Sequence, residues 1–142
     1  MGSIVRPIVA TRVLVAGTAD GDVLVLDEPL SFWGGLDPET GVVTDARHPQ
    51  RGAVLTGTVV VMRSGRGSSS SASVLAEAIR AGTGPAAIVL ADADPIVVLG
   101  ALVAGELYGI QVPVVEVAHD EGYAAATHAT HLRIADASLV AT

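Results

Sequence analysis

TVVVMRSGRGSSSSASVLAEAIRAGTGPAAIVL, residues 58–90, decides the fold of this chain. Its opening run, Thr58 to Met62, is strongly β-branched and predicts a core strand. Ser71 to Ala81 sets Val74, Leu75, Ala78 and Ile79 on one helical face, with Glu77 and Arg80 elsewhere. Gly82 and Gly84-Pro85 stop that helix, and Ala86 to Leu90 reads as a second buried strand. Downstream, Asp94-Pro95 opens another helix, with Asp placed to cap it and Pro at its first turn. Val112 to Val117 is a further buried strand, and His131 to Ile134 and Ser138 to Val140 are short closing strands. Upstream, Arg12 to Ala16 and Asp22 to Leu26 flank the turn-rich break Gly17 to Gly21 and predict a hairpin. Leu36 to Gly41, with Pro38 inside it, predicts a reversal before Val42-Val43. Strands first, then strand–helix alternation, predict a mixed α/β domain around a β-barrel or curved sheet.

Composition narrows the function classes. The chain has 142 residues, 50% of them hydrophobic, which fits one domain over residues 1–142. Its formal net charge is −7, and all 8 cationic residues are arginine. Such a surface cannot cover a phosphate backbone, and four aromatics (Phe32, Trp33, Tyr108, Tyr123) are too few for a base-stacking platform, so nucleic-acid binding is disfavoured. With no cysteine, the chain has no disulfide, no thiolate nucleophile and no thiolate ligand for zinc or an iron–sulfur cluster. No basic segment followed by an apolar one marks a secretory leader. Ile96 to Gly105 is the longest apolar run before Glu106, well short of the roughly 20 residues of a membrane span. A soluble, cytoplasmic protein is expected.

Three places could carry chemistry. The run Ser64-Gly65-Arg66-Gly67-Ser68-Ser69-Ser70-Ser71 sits between the best strand and an amphipathic helix. Its glycines allow close backbone approach, and serines followed by a helix start favour an anionic group. It is neither a Walker loop nor a nucleophile elbow, and as a composition it also reads as a flexible connector with one serine as cap. Pro29 to Pro38 gathers Phe32 and Trp33 beside Gly34-Gly35, either as a plug for the barrel end or as a docking loop. Of the histidines, His48-Pro49 lies in a turn, and His119-Asp120 reads as a solvated loop pair. His128 and His131 are three apart, but an extended backbone at residues 130–134 points that spacing to opposite faces, against a metal site.

Taken together, these segments resemble the small subunit of the aconitase X family, the swivel domain of that branch of the aconitase superfamily. The match rests on PLSFWGGLDPETG (residues 29–41), His48-Pro49, Gly65-Arg66-Gly67-Ser68-Ser69, and Ile96 to Tyr108. The resemblance implies a β/β/α swivelling-domain barrel and a two-subunit iron–sulfur hydro-lyase. A large, cysteine-bearing partner subunit would hold the cluster, whose iron acts as Lewis acid on the departing hydroxyl, and this chain would bind no metal. The superfamily loop Gly-x-Gly-Ser-Ser-Arg-Glu makes Ser68 the general base, with Gly67 and Ser69 at the substrate. Ser70 and Ser71 stand where Arg and Glu would follow, so Arg66 is the substitute cation for a substrate carboxylate. The implied substrate is a small hydroxy acid: cis-3-hydroxy-L-proline, dehydrated to pyrroline-2-carboxylate, or alternatively (R)-5-phosphomevalonate. The Ala/Val/Arg-rich, lysine-free composition and moderate acidity favour the first. Loss of the Arg-Glu pair leaves a non-catalytic swivel-type binding domain as the competing class.

Overall fold

A computed structural model describes residues 6–142; the N-terminal stretch read for a leader lies partly outside them. Eight strands form one sheet in the order β1-β8-β7-β3-β4-β5-β6-β2. At its centre β3 (Thr18–Val25), β4 (Val59–Met62), β5 (Ala87–Leu90) and β6 (Val114–Glu116) run parallel. Antiparallel strands flank them: β2 (Arg12–Val15) on β6, and on β3 the series β7 (His131–Ala135), β8 (Ser138–Ala141) and β1 (Ile8–Val9). Between the parallel strands run α2 (Ser70–Ala81), α3 (Pro95–Tyr108) and, after β6, α4 (Glu121–His128). The single turn α1 (Phe32–Gly35) lies in the long connection from β3 to β4. No helix among the described residues is long and apolar enough to cross a membrane.

Strands β4 and β5 are buried on both faces, which is why their sequences are continuous apolar runs. Alternation along them feeds two cores. Val60, Met62, Ile88, Leu90 and Val114 point to one face, under Leu75, Ala78 and Ile79 of α2 and Val97, Ala101 and Ala104 of α3. Val59, Val61, Ala87, Val89 and Val115 point to the other, where the sheet curls so that Leu132, Ile134 and Leu139 of β7 and β8 close over them. Each fully buried Leu or Ile contributes about 1.5–3 kcal/mol relative to exposure. The expected mixed, curled-sheet architecture is therefore observed. Asp94 caps α3 as expected, its carboxylate accepting from the Ile96 N–H at 2.8 Å, with Pro95 at the first turn.

The hairpin expectation fails. β2 pairs with β6 at the far edge of the sheet, while β3 begins at Thr18 and pairs with β7 from Thr18 to Asp22. Gly21 is a strand residue, not a turn: a Cβ there would meet the Gly57 carbonyl oxygen at 2.4 Å. A glycine that permits close backbone approach has the same local signature as one that permits reversal. Helix α4 was not anticipated, and it separates His128, at its end, from His131 on β7.

His131 clamps the β3–β7 pair. Its Nδ1 lies 3.1 Å from Asp22 Oδ1 and its Nε2 3.0 Å from Asp20 Oδ2, so only the doubly protonated ring donates to both. Hydrogen bonds to Asp22 and Asp20 raise its pKa above 6.5. A raised folded-state pKa contributes stability that is complete below the unfolded value and is lost as pH rises through the folded one. Thermal midpoints of wild type and His131→Gln should therefore differ most below pH 6.5 and converge above it. A gap that widens with pH would contradict the clamp.

Candidate functional site

The C-terminal ends of β3, β4, β5 and β6 share one edge of the sheet, the edge where open parallel sheets hold ligands. Four segments leave it: Leu26-Asp27-Glu28 after β3, the serine loop after β4, Ala91 to Asp94 after β5, and Val117 to Asp120 after β6. The serine loop is fastened at its base. The Arg63 carbonyl accepts from the Ala91 and Asp92 N–H groups at 3.0 and 2.8 Å, and the Arg63 guanidinium sits 5.1 Å from the Tyr123 ring centre. Burial pushes the Tyr123 phenol up in pKa, against the opposing pull of Arg63.

Two glycines then let the loop pass through tight space. Gly65 bridges to Leu30, and a Cβ on it would fall 2.8 Å from both Asp94 Oδ2 and Val97 Cγ2. The Arg66 N–H follows by donating to the Leu30 carbonyl at 3.2 Å. Gly67 adopts φ +110°, a region side chains avoid, and a Cβ there would fall 2.6 Å from Ser31 Oγ and 2.9 Å from Ser71 Oγ. This turn lifts Ser68, Ser69 and Ser70 to the surface, all exposed. The Ser68 and Ser69 carbonyls accept from the Ser71 and Ala72 N–H groups at 2.9 and 3.1 Å, which starts α2. No acidic residue occupies the first turn of α2, so its positive end is unopposed from within the helix. The loop is thus built into the packed unit, and the flexible-connector alternative falls.

The serines divide their labour differently from expectation. Ser69 stands at the N-cap but makes no side-chain capping bond. Ser71 does not cap: it is 1% exposed, and its Oγ accepts from the Trp33 N–H at 3.2 Å and lies 3.4 Å from Ser31 Oγ. Arg66 remains exposed, and its guanidinium lies 4.0 Å from Asp45. In the aromatic loop Phe32 is a plug, 1% exposed, whereas Trp33 is 63% exposed at the rim beside α2. His48 is buried and closes this connection: Nε2 donates to the Glu28 carbonyl at 2.9 Å and Nδ1 accepts from the Gln50 N–H at 3.0 Å.

His119 and Asp120 do not form a loop pair. His119 Nε2 reaches Asp92 Oδ1 at 2.7 Å, joining two segments of the site edge, while Asp120 caps α4 through the Glu121 N–H at 2.7 Å. Beside them, Glu116 accepts from Arg12, Thr11 and the Ala93 N–H. The Arg12 guanidinium above all holds its carboxyl at about 2. Sequence reasoning missed Ser31, the buried role of Ser71, and the His119–Asp92 pair. Ser31 was visible only as the residue preceding the aromatic pair; nothing local signals a contact across 40 positions.

A cavity of about 380 Å³ lies between Arg6 to Val9 and Ala118 to Ala125, and the serine loop does not line it. The serine loop instead stands on an open edge. Among the described residues, no group of three or more His, Asp, Glu or Cys side chains is placed to hold a metal ion.

Comparison with known proteins fits this geometry. The model of the aconitase X swivel domain matches residues 8–141. Cis-3-hydroxy-L-proline dehydratase of Pseudomonas aeruginosa is 46% identical over 107 residues, 75% of this chain but 18% of that protein. The phosphomevalonate dehydratase small subunit of Methanothermobacter thermautotrophicus is 44% identical over 94 residues, covering 66% of this chain and 72% of that one. The crystal structure of Thermococcus kodakaraensis aconitase X in its holo-form superposes with a TM-score of 0.81 at 30% identity, over 96% of this chain and 98% of that chain. A nearly full-length match to the family model, on the predicted fold, places the chain: it belongs to the aconitase X swivel domain family.

Proposed function

We propose that this chain is the swivel subunit of an aconitase X hydro-lyase that dehydrates cis-3-hydroxy-L-proline to pyrroline-2-carboxylate. The whole chain, residues 1–142, acts as a single swivel domain. The observation that carries the reading is Ser68, raised by Gly67 above the positive end of α2 on the open edge of the sheet. Ser68 is the base that takes the proton α to the carboxylate. Gly67 and Ser69 contact the substrate through backbone and hydroxyl groups, and Arg66 swings from Asp45 to the carboxylate.

An iron–sulfur cluster does not fit this chain, which has no cysteine and, among the described residues, no alternative ligand cluster. It belongs to a large cysteine-bearing partner that meets this chain at the open edge carrying the serine loop. The chain spans 18% and 17% of two hydroxyproline dehydratases it resembles, which leaves ample length for such a partner region in those proteins. Phosphomevalonate dehydration is the second reading, supported by relatives named as small subunits, of which this chain covers 70% and 72%. The cis-3-hydroxy-L-proline dehydratase of Pseudomonas aeruginosa, 46% identical over 107 residues, supports the first reading over it. The test is co-expression with the large subunit and assay on both substrates. Product from cis-3-hydroxy-L-proline supports the proposal; product from phosphomevalonate alone replaces it with the second reading, and none from either leaves a binding domain.

Trp33 bears on the partner. An exposed, backbone-anchored tryptophan at the rim of a half-site is a contact residue. Hydrogen exchange over residues 31–36 should slow when the large subunit is added. Exchange unchanged on assembly would put Trp33 outside the interface.

A further inference from the structure

Trp33 is held by its backbone at both ends, and the hydrogens can be assigned. Ser31 Oγ donates to the Trp33 carbonyl at 3.0 Å, which uses the only hydroxyl proton of Ser31. At the 3.4 Å contact between Ser31 Oγ and Ser71 Oγ, Ser71 must therefore be the donor. Ser71 Oγ in turn accepts from the Trp33 N–H at 3.2 Å. The three groups close a ring: Trp33 N–H to Ser71, Ser71 to Ser31, Ser31 to the Trp33 carbonyl. The backbone of Gly67 rests against the two hydroxyl oxygens of this ring, with no room for even a methyl group. Of the serine run only Ser71 is buried, so its hydroxyl has no water to fall back on.

We infer that Ser71 and Ser31 are positioning residues: their ring joins the Trp33 rim to the Gly67 turn and thereby fixes where Ser68 stands. The inference rests on the reading of Ser68 as base. It goes further by assigning the buried serine, which occupies the position of the wider superfamily's glutamate, a role in placing that base. Opening the ring lets the turn drift, and a displacement near 1 Å of a reacting group costs on the order of 10²-fold in rate. Binding through the partner's half of the cleft is untouched.

Trp33 is the single tryptophan of the chain, so 5-fluorotryptophan labelling gives one fluorine resonance that reports on the ring. Wild type, Ser71→Ala, Ser31→Ala, the double variant, Ser31→Thr and, as control on the exposed face of α2, Ser73→Ala are assembled with unlabelled large subunit. In Ser71→Ala and Ser31→Ala, kcat should fall by about 10- to 100-fold with KM within about threefold of wild type. The fluorine resonance should shift in both. The double variant should be no worse than the worse single, because one ring is opened once. Ser31→Thr should restore both signals, and Ser73→Ala should change neither. An unshifted resonance in Ser71→Ala overturns the ring, whatever the activity. A shifted resonance with wild-type kcat overturns the positioning role. A Ser68→Ala complex as active as wild type overturns the base assignment beneath it, while the fluorine shift would still report the ring.

Discussion

Ser68→Ala in the assembled enzyme is expected to lower kcat by a factor on the order of 10² to 10⁴, the usual contribution of a positioned acid–base group. Ser68 is exposed and its side chain has no hydrogen bond among the described residues, so its removal should leave the thermal midpoint, the assembly and the partner's cluster intact. The physical demand on this residue is severe, since a free serine hydroxyl is far too weak an acid to lose its proton at neutral pH. The fold offers two aids. The first turn of α2 has no acidic residue to oppose the positive end of the helix. Arg66 is exposed, and its contact with Asp45, at 4.0 Å, is loose enough to exchange for a substrate. Near-normal turnover by Ser68→Ala, with cluster and substrate verified, would remove the assignment and return the loop to a structural role.

Gly67→Ala should be nearly as damaging to turnover while leaving the serine in place. A side chain at φ +110° carries strain of about 1–3 kcal/mol, and its Cβ would lie 2.6 Å from Ser31 Oγ and 2.9 Å from Ser71 Oγ. The strain is relieved only by moving the turn or by breaking the ring around Trp33. Either response displaces Ser68, so kcat should fall by about 10²-fold or more, with a measurable drop in thermal midpoint. The contrast with Ser68→Ala is diagnostic: one variant loses activity with stability intact, the other loses both. A Gly67→Ala complex with wild-type kcat would mean that the turn does not set the position of the base.

What the sequence discloses and what it hides follow from the range of the forces involved. β4, α2, β5 and the Asp94 cap were legible because strands buried on both faces and amphipathic helices write their pattern into consecutive residues. Helix α4 was not, since only Ala126 of it is buried and its apolar face is too narrow to register. The β2–β3 hairpin was misread because pairing partners are chosen across the sheet: β2 finds Glu116 and Val115 about a hundred positions away, not its neighbour. The candidate site divides the same way. Ser68 and its glycines are contiguous, and the resemblance to a known loop singled them out. Ser31, Ser71 and the His119–Asp92 pair depend on segments that meet only when the sheet edge assembles. Fold resemblance does not assign these roles, because contacts between distant segments belong to the assembled site and not to the motif.

The central claim is that this chain supplies the base, and a separate chain the cluster, of one dehydratase. It is tested most directly by measuring pyrroline-2-carboxylate formation from cis-3-hydroxy-L-proline with this chain alone, the large subunit alone, and the two combined. The account predicts turnover only in the combined sample, with the isolated 142-residue chain colourless, iron-free and inactive. Dehydration by the isolated chain, or undiminished dehydration by the large subunit without it, would contradict the account.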